Sequence, residues 1–105
     1  MLQAMEERRR VWLPRARDRR VFDAIRALVT RDFQTAAERF EAAGELLDAG
    51  AARELNEQPD MARRHYQRVL EDDAGSATAY LRLGSLAVRR QDTEAALAAL
   101  REAQR

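Results

Sequence analysis

The stretch Ala77–Arg105 constrains the fold most. Tyr80, Leu83, Gly84 and Ala87 fall at three- and four-residue spacing, which places them on one face of a helix. Gln91-Asp92-Thr93 interrupts that face, and Ala96, Leu100 and Ala103 mark the face of a second helix. Helices joined by so short a connection lie antiparallel, and neither buries its apolar stripe alone. Hydrophobic residues make up 46% of the 105-residue chain but aromatics only 6%. With alanine abundant, that balance suits closely packed helices better than strands, which favour β-branched and aromatic side chains. A chain of this length forms one domain with a single modest core.

This helix pair resembles a tetratricopeptide (TPR) repeat, whose pattern runs W-x2-L-G-x2-Y and then A-x3-F within a period of about 34 residues. Tyr80 stands for the first aromatic, Leu83-Gly84 for the Leu-Gly pair, Ala87 for the second aromatic, and Ala96 and Leu100 for A-x3-F. Gln91 stands where a glycine often closes the turn. Counting back one period puts a repeat start at Ala43, with Leu46 in the aromatic position and Ala49-Gly50 as the Leu-Gly pair. Pro59 then falls near the start of the second helix, and Ala62, Tyr66 and Val69 supply its face. The clearest repeats are thus 43–76 and 77–105. The resemblance implies an all-α, right-handed stack of antiparallel helix pairs, five or six helices in all. It also implies a concave surface lined by the first helix of each pair, on which Thr78, Leu81, Arg82, Ser85, Val88 and Arg89 form a partner-binding groove. Arg82 and Arg89 would each hold a ligand carboxylate there.

Ahead of the repeats, residues 1–17 read as a basic leader and 18–105 as one helical domain. Val21, Phe22, Ile25, Leu28 and Val29 make an apolar stripe, with Asp18 expected to cap its helix. Thr30-Arg31-Asp32 reads as a stop and restart, and Phe33 to Ala43 as the second helix of a degenerate first repeat. Between 33 and 56 two readings stand: two helices meeting near Gly44, or one long helix. The series Phe40, Ala43, Leu47, Ala51 and Leu55 keeps helical spacing through Gly44 and Gly50, which favours the long helix. Ser76 is expected to cap the helix at Ala77. The last helix, with no further repeat after it, is expected to leave apolar surface open at Ala95, Leu97, Ala98 and Ala99.

The formal net charge is +1, which counts against nucleic acid as the partner, yet the charge is uneven. Residues 1–20 hold seven arginines against three acids, residues 21–60 four against nine, and residues 61–105 eight against six. Every basic residue is arginine. Arg8, Arg9, Arg10, Arg15, Arg17, Arg19 and Arg20, with Trp12 as a stacking face, read either as a solvated leader or as an arm for nucleic acid or an anionic surface. Glu38, Glu41, Glu45 and Asp48 form an acidic ridge at 3-4-3 spacing. It is either a solvated face or a contact for the arginines of the leader or of a second copy.

Catalytic chemistry has little to stand on. His65 is the one histidine, the four glycines are scattered, and there is no cysteine. No catalytic residue, metal site or cofactor is expected. No apolar run reaches the ~20 residues that span a membrane, so the expectation is a cytoplasmic scaffold or adaptor. It would bind a protein or peptide, or associate with itself, because about three repeats are needed to bury a continuous core.

Overall fold

The computed structural model describes residues 16–105, with side chains from Asp18 onward. Within that span the chain is all-helical: α1 Ala16–Val29, α2 Phe33–Ala42, α3 Leu46–Leu55, α4 Pro59–Asp72, α5 Ala77–Arg89 and α6 Thr93–Gln104. Each helix packs on the next in sequence. The extents, 61 × 31 × 18 Å, are those of a helical stack rather than a ball.

Local chemistry sets the helix starts. The side chains of Asp32, Ser76 and Asp92 accept hydrogen bonds from the backbone N–H groups of Thr35, Ala79 and Ala95, 3.1–3.2 Å long. Each such cap stabilises its helix by about 1 kcal/mol. Pro59 opens α4, where its fixed φ suits the first turn and its missing N–H costs nothing.

Four of the five connections are of one kind. Arg31, Gly44, Glu57 and Gln91 have φ of 62°, 75°, 58° and 60°. Each donates its N–H to the carbonyl three residues back, and the next residue donates to the carbonyl five back. This is the Schellman closure, which satisfies carbonyls that the helix end leaves open. The fifth connection, Asp73 to Ser76, carries no such residue, and Gly75 N–H is held by Asp73 Oδ1 at 3.2 Å.

Those turns define three helix pairs: α1–α2, α3–α4 and α5–α6. From Arg31 to Glu57 is 26 residues, and from Glu57 to Gln91 is 34. The same two offsets relate Ala24, Gly50 and Gly84, all buried in the first helices. They also relate Ala36, Ala62 and Ala96, and Phe40, Tyr66 and Leu100, in the second helices. The first pair is therefore a shortened copy of the other two. Its A-x3-F pattern is intact in Ala36 and Phe40, but α2 stops after 10 residues where α4 runs for 14.

The core is built where one pair meets the next. Ala49 and Ala52 of α3 are buried with Ala24, Ala27, Ala36, Ala37 and Phe40 of the first pair, and Val21 and Leu28 pack against them. Their counterparts in α5, Leu83 and Leu86, pack with Ala62, Tyr66 and Leu47 of the second pair.

Two sequence expectations fail. There is no long helix from 33 to 56: Gly44 takes a left-handed φ that a side chain would strain, and the chain turns there. The even spacing from Phe40 to Leu55 misled because it runs through that turn from a buried position to an exposed one. Asp18 is not a cap. Helix α1 starts at Ala16, which leaves Asp18 in the first turn, where a carboxylate still suits the helix dipole.

Candidate functional site

All six groove positions expected on α5 are exposed, but they divide into two sets. Leu81 and Val88 correspond to Val21 and Leu28 in the first pair and to Leu47 and Glu54 in the second. Those four are half-buried against the following helices. Leu81 and Val88 thus occupy positions that point along the stack. Thr78, Arg82, Ser85 and Arg89 point away from it.

Three of these outward positions recur in every first helix. Phe22, Asp48 and Arg82 correspond, as do Ile25, Ala51 and Ser85, and Val29, Leu55 and Arg89. The α1 members are large, apolar and open: Phe22 is 55%, Ile25 46% and Val29 79% exposed. Leu55 is equally open. The outward face therefore changes from apolar on α1, through mixed on α3, to basic on α5.

The two arginines are not equivalent. Arg89 Nη1 lies 3.3 Å from Glu54 Oε1, while Arg82 makes no ion pair among the described residues. Glu54 also accepts a hydrogen bond from the hydroxyl of buried Tyr66. Burial, and after it the neighbouring Glu54, pushes the Tyr66 phenol well above its ordinary value, so it stays a neutral donor. The ring needs the space left by Gly50, since a Cβ there would come within 2.3 Å of Tyr66 Cε1. An open cleft of about 400 Å³ lies beside this cluster, between Pro59, Leu86 and Arg89.

The acidic ridge does not exist as one face. Glu38 and Glu41 belong to α2, Glu45 precedes α3 and Asp48 lies in α3, with the Gly44 turn between. Glu38 and Asp48 are exposed, and Glu38 accepts from Gln34 Nε2 at 2.7 Å. Glu41 turns inward to Arg53, which sits at an interior slot equivalent to Ala27 and Ala87 and is 5% exposed. Arg53 Nε and Nη2 donate to the two Glu41 oxygens at 3.2 and 2.6 Å, and Nη1 donates to Gln34 and Gln58. His65 Nε2 meets Glu41 Oε2 at 2.5 Å. Burial opposes ionisation of Glu41, but the hydrogen bonds from Arg53 and His65 outweigh it and hold the carboxyl below its usual range. This clasp joins α2, α3 and α4, and the sequence reading missed it. Its one signal was a charged residue 34 positions before Ala87.

Of the basic segment, Arg8, Arg9, Arg10, Trp12 and Arg15 lie outside the described residues, as does the side chain of Arg17. Arg19 and Arg20 are exposed on α1. Arg20 Nη1 donates to the carbonyl of Ala42 at 3.0 Å, so it closes the end of α2.

On another side, α4 and α6 flank an open groove of about 420 Å³ floored by Leu83, Leu86 and Ala87 of α5. No helix among the described residues is long and apolar enough to cross a membrane. No family model matches the chain, and no curated protein or solved structure matches it at a significant level.

Proposed function

We propose that this chain is a non-catalytic binding module of tetratricopeptide-like, right-handed architecture. It takes a partner protein's segment across the outward face of α1, α3 and α5. The observation that carries the reading is the recurrence of exposed positions in the three first helices. Phe22, Ile25, Val29 and Leu55 stand open at sites that a free surface would fill with polar residues. Arg82, in no ion pair among the described residues, stands at the other end of the same row. Such a face fits a segment with two or three apolar side chains followed by a carboxylate, which the guanidinium of Arg82 can grip with two hydrogen bonds.

Arg89 contributes less to such a ligand than Arg82, because Glu54 already holds it. The test is peptide selection against the wild-type chain, followed by titration of the enriched peptides against Phe22→Asp, Val29→Asp and Arg82→Glu. Peptides carrying apolar residues ahead of an acid should lose about tenfold or more in affinity with each variant. Enriched peptides that bind all three variants as well as wild type would overturn the proposal.

A further inference from the structure

The α5–α6 end of the stack carries a second apolar surface, distinct from the outward face. Its open members are Leu81 and Val88 of α5 and Leu97 and Leu100 of α6, with buried Ala96 beneath them. In the first pair the same positions are Val21, Leu28, Ala36, Ala37 and Phe40, the residues on which α3 seats Ala49 and Ala52. In the second pair Leu47, Ala62 and Tyr66 occupy three of them, and α5 seats Leu83 and Leu86 there. Burial follows the cover: Phe40 is 3% exposed and Tyr66 0%, whereas Leu100 is 38%. Leu81, Val88 and Leu97 are more open still.

We infer that this end face docks an amphipathic helix of a partner protein, one presenting two apolar residues three positions apart with acidic residues beside them. The apolar pair follows from the two interfaces already built in the chain, where Ala49 with Ala52, and Leu83 with Leu86, fill the equivalent seat. The acidic flanks follow from the charges at the border. Arg82 follows Leu81 and Arg101 lies one turn beyond Leu97, both exposed and neither in an ion pair among the described residues. Glu94, one turn before Leu97, puts an acid at the start of α6, so the partner's acidic residues belong towards Arg82 and Arg101.

A second copy is a poor occupant in either orientation. Helix α1 carries Asp23 and Arg26 where α3 has Ala49 and Ala52, so stacking its first pair onto this end would bury two charges. A two-fold pairing of end faces would instead place Arg82 and Arg101 of each copy at the contact against Glu94, an excess of positive charge.

The test uses the full chain and two stapled helical peptides. Both carry the Leu83/Leu86 seat residues within the Ser76–Arg90 sequence, one with its three arginines replaced by glutamate and one unaltered. The glutamate peptide should bind and the arginine peptide should bind about tenfold more weakly. Leu97→Glu should abolish binding, and Leu81→Glu, on the other helix, provides a second variant should the first unfold. Phe22→Asp, on the outward face, should leave this binding unchanged, which separates failure here from failure of the peptide-binding reading. Absence of binding, or binding indifferent to Leu97→Glu and Leu81→Glu, overturns the inference. So does a wild-type dimer by sedimentation that Leu97→Glu converts to monomer, since the occupant would then be a second copy.

Discussion

Replacing Gly50 by alanine adds one methyl group at the point where α3 meets α4. That methyl would lie 2.3 Å from Tyr66 Cε1, 2.7 Å from Cζ and 3.0 Å from Cδ1, the first two closer than real Cβ atoms come. The ring is fully buried and its hydroxyl is tied to Glu54, so it has no free direction in which to yield. Alanine gains roughly 1 kcal/mol over glycine in a helix interior. Against this stand overpacking, about 1–3 kcal/mol, and a weakened hydrogen bond to a charged acceptor, about 1.5–3 kcal/mol. The net expectation is a loss of about 2–4 kcal/mol. Gly84, the counterpart one period on, behaves oppositely. A Cβ there meets Ala99 at 3.5 Å and Leu100 at 3.6 Å, ordinary contact distances. Gly84→Ala should therefore gain about 0.5–1 kcal/mol. The assay is urea unfolding followed by circular dichroism, comparing midpoints at a common slope. Tyr66→Leu, which installs the third pair's residue in the second, should remove most of the penalty of Gly50→Ala and show a coupling of about 1 kcal/mol or more in the double-mutant cycle. A Gly50→Ala chain as stable as wild type would refute the reasoning.

Further substitutions follow from the clasp and the turns. Arg53→Ala leaves Glu41 half-buried with His65 as its remaining partner and should cost about 3 kcal/mol, while Arg53→Leu with Glu41→Leu should recover most of that by replacing the pair with packed hydrocarbon; urea midpoints of the three chains decide it. Because Glu41 titrates below its ordinary value of 4.5 when folded, its contribution is fully present above that pH and is lost as pH falls through the lowered value. Glu41→Gln should therefore flatten that part of the acid limb of a stability–pH profile, and an unchanged profile would contradict the assigned contacts. Glu57→Gly and Gln91→Gly relieve side chains at left-handed φ and should each raise stability by about 0.5–1 kcal/mol, whereas Glu57→Val should lower it.

How far the sequence could be read depended on where physics left a periodic mark. The last two pairs share a 34-residue offset, so the start of α4 near Pro59 and of α5 at Ala77 was legible. Their caps at Ser76 and Asp92, and Pro59 at the start of α4, carry plain local chemistry. The first pair was harder, since its offset is 26 and no single period covers the chain. Arg31 and Glu57 close their turns at a positive φ that neither residue advertises, so only Gly44 could have announced a Schellman turn. Arg53 was hidden for the opposite reason: a charged residue is expected outside, and only its partners Glu41, Gln34 and Gln58 make the interior tolerable. Leu81 and Val88 looked like groove residues because the sequence shows that they share a helix with Arg82. It does not show which positions the next helix would cover.

The shortened first pair explains why the clasp sits where it does. Removing eight residues between the first and second pairs takes the last turn from the second helix, so α2 stops at Ala42 while α4 continues through Val69 to Asp72. The connection that remains is the same left-handed turn used inside each pair, and Arg31, Gly44 and Glu57 follow one another at equal 13-residue intervals. A helix four residues shorter offers less apolar surface to its neighbours. Alanines fill the seam at Ala36, Ala37, Ala49 and Ala52, and bury little area each. Directional bonds compensate: Arg20 closes the free end of α2, and Glu41 reaches from its last turn to Arg53 on α3 and His65 on α4. The second and third pairs meet through the larger side chains of Tyr66, Leu83 and Leu86, and their ion pairs, Arg89 with Glu54 and Arg90 with Asp60, carry their arginines on the exposed surface. The two seams should therefore differ in kind. Low pH loosens the first more, because its Glu41 clasp is half-buried while the Asp60–Arg90 pair at the second is exposed and contributes little, whereas cooling weakens the apolar contacts that dominate the second. Amide exchange resolved along α2 and α5 is the measurement that separates them.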